Sequence, residues 1–225
     1  LNELLKPTVI HVAIVTMNRP IEIMRCLSTI EPACNTTKAS IHVLQQEYKL
    51  AYKGRYMQRC QWYHSKKNLG CAGGRNFLID RIKASGLEDD HIIVFLDDDL
   101  WVARHSWLFS LAGPIARGLT DICGVEGRYV TGDYHTLPIQ GAQTPDYVSG
   151  GWMAVAGRVF NTGLRFDERF NPNYWEDVDF CYQARAAGFR LRAAGDIGLV
   201  HPSHPVNHDI ANASRAKFIE KWRAS

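Results

Sequence analysis

Short apolar runs alternate along the first half of the chain with stretches in which apolar residues recur every three or four positions. Val9-Ile10-His11-Val12-Ala13-Ile14-Val15 is a β-branched run and predicts a first strand. After the polar turn Thr16-Met17-Asn18-Arg19, Pro20 suits the first turn of a helix, and Ile23, Leu27 and Ile30 follow at helical spacing. Ile41-His42-Val43-Leu44 predicts a second, short strand, whereas the polar and aromatic stretch from Gln45 to Ser65 shows no clear period. A helix is expected from Arg75 to about Ala84 through Phe77, Leu78 and Ile82, then a strand over Ile92-Ile93-Val94-Phe95-Leu96. A helix carrying Leu108, Leu111 and Ile115 and a strand near Ile122 to Val130 complete this half. Alternating strands and helices predict an α/β fold, a mostly parallel central sheet with helices on both faces.

The second half is less regular. A loop with Gly132, Pro138, Gly141 and Pro145 leads to Gly150-Gly151-Trp152, and a helix is expected from about Trp175 to Ala187 with Phe180, Ala184 and Ala187 on one face. A last strand near Gly198 to Val200 and a tail helix carrying Phe218, Ile219 and Trp222 close the chain. At 225 residues the expectation is a single domain, 1–225, with a first half to about residue 130, a second half over about 131–204 and the tail helix over 205–225.

Composition narrows the function classes. An apolar fraction of 46% and a charged fraction of 22% argue against long disorder, and a net charge of +3 gives no reason to expect a nucleic acid held through its phosphates. The six cysteines form no CxxC pair, which favours reduced, mostly buried thiols in a cytoplasmic protein over a disulfide framework or a zinc knot. No apolar run reaches transmembrane length and no basic-then-apolar leader opens the chain; because it begins at Leu1, it is read as a trimmed chain or a domain of a longer polypeptide. Asn35-Thr36-Thr37 and Asn212-Ala213-Ser214 match the glycosylation acceptor pattern and are read as chance.

Three segments carry candidate chemistry. Asp97-Asp98-Asp99 stands where the apolar strand stops, the end at which parallel α/β sheets place ligands. Alternation along an extended chain lets Asp97 and Asp99 face one ligand while Asp98 faces away, and clustered carboxylates suit Mg2+ or Mn2+; a solvated acidic turn is the plainer alternative. The glycines at 70 to 74, with Asn68, Arg75 and Asn76 at their edges, could present backbone N–H groups to phosphates or ribose at a helix start, or form only a turn. Trp175-Glu176-Asp177-Val178-Asp179 places three acids in a helix first turn, where some act as caps and one is suited to take a proton from a hydroxyl. Trp175 offers a surface for a sugar ring or a core contact, and His201 and His204 could complete a metal shell or be structural.

Taken in order, these segments closely resemble the GT-A-fold nucleotide-sugar glycosyltransferases, especially the inverting group called family 2. The matching pieces are Val15 to Pro20, Asn68-Leu69-Gly70-Cys71-Ala72-Gly73-Gly74-Arg75-Asn76, the triplet at 97–99, Gly150-Gly151, Phe166-Asp167-Glu168-Arg169-Phe170, the run at 175–180, Gly188-Phe189 and His201. The resemblance implies a nucleotide-sugar-binding first half and an acceptor half. It implies that Thr16, Asn18, Arg19, Asn68, Gly70, Arg75, Asn76, Asp97 and Asp98 hold the nucleotide sugar, with Asp97, Asp99 and His201 as ligands of Mn2+ or Mg2+. Asp177, beside Glu176, is implied as general base, and Gly151, Trp152 and Trp175 as acceptor contacts. The implied reaction is a metal-dependent inverting transfer of one sugar from a UDP-sugar to an acceptor hydroxyl. Two departures stand out: the second strand runs into Gln45-Gln46 where relatives often carry an acid that contacts the base, and the Gln-x-x-Arg-Trp motif of processive synthases is missing. A metal-dependent nucleotidyltransferase or hydrolase, or a silent carbohydrate-binding module, could use the same scaffold; the second acid cluster at Asp177 favours transfer to a hydroxyl.

Overall fold

Strand β1 (Ile10–Met17) is the axis of the molecule because consecutive residues Val12, Ala13 and Ile14 are all buried, which requires both faces of the sheet to be covered. In this computed structural model, which describes residues 8–49, 59–139, 144–202 and 205–223, the chain continues through α1 (Pro20–Thr37), β2 (Ser40–Gln46) and β3 (Cys60–Ser65). Then come α2 (Gly70–Ala84), β4 (Ile92–Asp97), β5 (Trp101–Val102), α3 (Trp107–Ala116), β6 (Ile122–Gly124), β7 (Gly127–Val130), β8 (Thr136–Pro138) and β9 (Tyr147–Val148). The last third holds β10 (Trp152–Ala156), α4 (Gly157–Asn161), a 3-10 turn at Glu168–Phe170, α5 (Glu176–Ala186), β11 (Leu191–Ala193), β12 (Leu199–Val200) and α6 (His208–Trp222).

Seven strands form the central sheet in the order β11-β6-β10-β4-β1-β2-β3. Pairs β4–β1, β1–β2, β2–β3 and β11–β6 are parallel, and β10 alone runs antiparallel to its neighbours β4 and β6. This is the α/β, mostly parallel architecture expected. Register ties Val15 of β1 to Asp97 of β4, so the polar turn after β1 and the acidic triplet leave the sheet side by side. Helix α2 packs on β1 and β2 with glycine at its contact: a Cβ on Gly74 would lie 2.8 Å from a Val15 methyl, so only glycine lets the helix come this close. Among the described residues no helix is long and apolar enough to cross a membrane, and the six cysteines are free, five of them buried.

Several local expectations change. The single strand foreseen near 122–130 is two strands in different sheets, because β6 joins the central sheet while β7 pairs with β8 and β9. Helix α2 starts at Gly70 rather than Arg75, so the glycine-rich segment lies inside it. Strands β3, β10 and β11 were not expected. The strand near 198–200 exists, but it pairs with β5 in a separate ribbon.

Candidate active site

Strand β4 delivers Asp97 at its carboxyl end, and the tight turn that follows buries Asp98 and Asp99. The β5–β12 ribbon folds the late chain back over this turn and sets His201 against it. One ligand atom each from Asp97, Asp99 and His201 lies within 4.8 Å of the others. His201 Nε2 is 2.9 Å from Asp99 Oδ1 and 3.6 Å from Asp97 Oδ2, and the edge of Trp152 packs on the imidazole at 4.9 Å between ring centroids. Two carboxylates and an imidazole in this spacing fit a divalent cation with a preference for oxygen. Asp98 stands outside this ligand group: its Oδ2 accepts from Thr16 Oγ1 at 2.6 Å. Arg19 Nη1 donates to Asp98 Oδ1 at 3.3 Å and to Asp99 Oδ2 at 2.5 Å.

The electrostatics follow from crowding acids into a half-buried corner. Burial, opposed by Thr16 and Arg19, pushes the Asp98 carboxyl up to about 6. Asp97 is also raised, by burial first, with Arg75 and His201 pulling it back. The hydrogen bond to Asp99, acting against burial, raises His201.

The second acid group is aimed by strained backbone. Tyr174 and Trp175 sit at φ of 70° and 69°, in the left-handed region that side chains with a Cβ rarely adopt, immediately before α5. Trp175 is held there by packing on Phe218 of α6, with ring centroids 5.0 Å apart. Glu176 then reaches the buried guanidinium of Arg75, whose Nη1 is 2.8 Å from its Oε1, while Arg75 Nη2 lies 3.5 Å from Asp97 Oδ1. A single cation thus links the two acid clusters. Burial pushes the Glu176 carboxyl up to about 7 against the pull of Arg75, and Arg75, despite burial, is held above its ordinary value by Glu176 first. Asp177 is oriented by backbone donors: Gly150 N–H reaches its Oδ2 at 3.0 Å and Val178 N–H its Oδ1 at 2.8 Å. Asp179 is structural, fully buried and bound by Trp222 Nε1 at 2.8 Å, Lys221 Nζ at 2.8 Å and Gln183 Nε2 at 2.7 Å.

The two glycines beside these acids have steric reasons. A Cβ on Gly151 would collide with the Asp97 carboxylate, and one on Gly150 would come within 2.8 Å of the Arg75 guanidinium. Both positions keep the backbone close to these two side chains.

A cavity of about 620 Å³ opens over the carboxyl ends of β1, β2 and β4. Thr16, Arg19, Asn68, Gly70, Arg75, Asp97, Asp98, Asp99 and His201 line it, so most of the expected donor-binding and metal residues share one wall. Others do not. Asn18 is exposed in the turn at φ 56°. Asn76 is turned into the body, where its Nδ2 donates to the Phe166 carbonyl at 2.8 Å and to Glu168 at 3.0 Å. The amides expected to meet phosphates are already used: Gly70 N–H donates to Asn68 Oδ1 at 2.8 Å and Cys71 N–H to the Pro172 carbonyl at 2.8 Å. Trp175 faces Phe218, the core contact rather than an open sugar platform. His204 lies outside the described residues. Sequence reasoning missed Gln46, Asn173, Tyr174, Val206 and Ile210 on the cavity wall. Gln46 alone had a signal, its place at the end of a parallel strand; its Oε1 accepts Leu69 N–H at 2.6 Å.

The sequence model described as Glycosyl transferase family 2 matches residues 36–197, most of the chain. The chain belongs to glycosyl transferase family 2. Its fold is GT-A, shared with a crystal structure of GalNAc-T7 with UDP, GalNAc and Mn2+ at TM-score 0.69 and 12% identity, over 96% of this chain and 48% of that one. The mannosyltransferase PcManGT from Pyrobaculum calidifontis, in complex with GDP-Man and Mn2+, superposes at TM-score 0.67 and 14% identity, over 94% of this chain and 63% of that one. TarS 1-349 of S. aureus superposes at 0.62 with 14% identity, over 94% of this family 2 chain and 66% of that one. The chain therefore spans about half to two thirds of these structures. A search of curated proteins gives no match.

Proposed function

We propose that this family 2 domain transfers one sugar from a nucleotide-diphosphate sugar to an acceptor hydroxyl by a single inverting displacement, with a divalent cation at Asp97, Asp99 and His201. The observation that carries the reading is the Arg75 bridge, with Nη1 on Glu176 at 2.8 Å and Nη2 at 3.5 Å from Asp97, which brings the base-bearing turn of α5 to the metal corner of β4. Asp97, Asp99 and His201 would hold Mn2+ or Mg2+, whose charge would answer that of the departing diphosphate. Thr16 and Arg19, tied to Asp98 and Asp99, shape the wall on which the nucleotide lies.

Asp177 takes the proton of the acceptor hydroxyl at a carboxylate oxygen as that hydroxyl attacks the anomeric carbon, and one attack from the far side inverts the configuration. Gly150 and Val178 N–H groups fix the carboxylate before the acceptor arrives. Glu176 acts as a positioning residue, because its carboxylate is buried and committed to Arg75. The closeness of Gly151 to Asp97 and of Trp152 to His201 supports an acceptor side at this same corner. The donor class is supported by the nucleotides and Mn2+ of GalNAc-T7 and PcManGT, and a UDP-sugar is the first donor to test.

Calorimetry with UDP or GDP, with and without Mn2+, beside a turnover assay, tests the assignment. Asp177→Asn is expected to bind nucleotide and Mn2+ as the wild type does and to lose transfer by at least about a hundredfold. Asp99→Ala is expected to lose the Mn2+-dependent binding itself. Wild-type turnover in Asp177→Asn would remove it as the base.

A further inference from the structure

Strand β2 ends at Gln46, and its register with β1 sets Gln46 beside Met17, the last residue of that strand. Both line the donor cavity. Gln46 is 4% exposed, whereas Met17 is 38% exposed and offers the cavity an apolar surface. The metal corner lies across the sheet from them, since Asp97 closes β4 and β1 stands between β4 and β2. Two strand spacings, about 10 Å, separate β2 from β4. A nucleotide is laid out to match: its diphosphate takes the cation, and its base lies beyond the ribose.

The amide of Gln46 is fixed in one orientation. Leu69 N–H can only donate, so the atom that meets it at 2.6 Å is Oε1, and turning the amide over would set two donors against each other. Among the described residues nothing accepts from Nε2. What Gln46 offers the cavity is therefore a donor alone. Nucleobases divide on this property, because uracil and guanine carry a carbonyl oxygen, O4 or O6, where cytosine and adenine carry an amino group, N4 or N6.

We propose that Gln46 selects the nucleobase of the donor, with Nε2 donating to O4 of uracil or O6 of guanine while Met17 packs on the ring. An amino base sets its own N–H groups against that of Gln46, and the amide held by Leu69 cannot turn to receive them. This selection rests on the proposed nucleotide-sugar donor and adds to it the class of base, keto rather than amino.

Calorimetry in Mn2+ with UDP, CDP, GDP, ADP and inorganic pyrophosphate, above neutral pH to keep the new carboxyl ionised, tests it in wild type and Gln46→Glu. Wild type is expected to bind the keto member of its preferred pair, UDP over CDP or GDP over ADP, about tenfold or more tightly. Gln46→Glu keeps an oxygen for Leu69 N–H and presents a second oxygen in place of the donor. The preference is expected to fall by about tenfold or more, toward the amino base, while pyrophosphate binds as before, which also shows that the variant is folded. Equal binding of keto and amino bases by the wild type, or a preference that survives in Gln46→Glu, overturns the proposal and leaves the nucleotide-sugar donor standing. A wild type that binds none of the four nucleotides overturns both.

Discussion

Replacing Arg75 by methionine removes the charge and the donors while keeping most of the side-chain volume. The Glu176 carboxylate then loses its cation in a position where its side chain is 7% exposed, whereas Asp97, 41% exposed, is largely answered by water. Breaking a buried pair from one side costs about 3–5 kcal/mol. Glu176 has a way out, since burial already pushes it up to about 7 and without Arg75 it stays protonated at neutral pH. The penalty therefore falls at the low end, about 3 kcal/mol, which for a chain of this size lowers Tm by roughly 6–12 °C. Glu176→Gln strands a guanidinium that cannot shed its proton, so it is expected to cost more, toward about 5 kcal/mol. The double variant should cost less than the two singles together by over about 1 kcal/mol, because neither charge is left alone. A carboxyl whose folded value lies above its unfolded one loses stability as pH rises, so the Arg75→Met penalty should grow from pH 6 to pH 8. Urea unfolding of the four proteins at the two pH values measures all of this. Additive single effects, each below about 1 kcal/mol, would refute the view that the pair is buried and coupled.

Gly151→Ala is expected to weaken Mn2+ binding by about tenfold or more with little change in Tm, because the new methyl strikes the Asp97 carboxylate and not the core; calorimetry beside thermal unfolding checks the split. His11 and His42 are each pushed down to about 4, by burial first, so the unfolded chain binds protons that the folded one refuses. Their contribution is intact above about pH 6.5 and is lost as pH falls toward 4, at up to about 1.4 kcal/mol per pH unit for each. Urea unfolding in EDTA between pH 4.5 and 7.5 should show that slope, and His42→Asn should flatten it.

What the sequence discloses and what it hides differ by the range of the physics involved. Strands β1 and β4 are legible because residues buried on both faces must be apolar without interruption, and the acids are legible because charge ends such a run abruptly. Strand β10 is not: in Trp152-Met153-Ala154-Val155-Ala156 the alanines and the methionine offset Trp152 and Val155, and the segment forms a strand where β4 and β6 present edges on either side. The segment at 70–74 shows the ambiguity of glycine, which serves close packing of Gly74 on Val15 as readily as it would serve a phosphate. Arg75 is expected as a donor contact, and what stays hidden is its burial and its bridge to Glu176. A charged residue in a helix reads as a solvated one, and its partner Glu176 lies 101 positions away, so no local pattern announces that the side chain is buried. Yet this residue spans the two acid clusters, one proposed for the cation and the other for the proton. The acids could be read from the chain; the guanidinium that spans them required the fold.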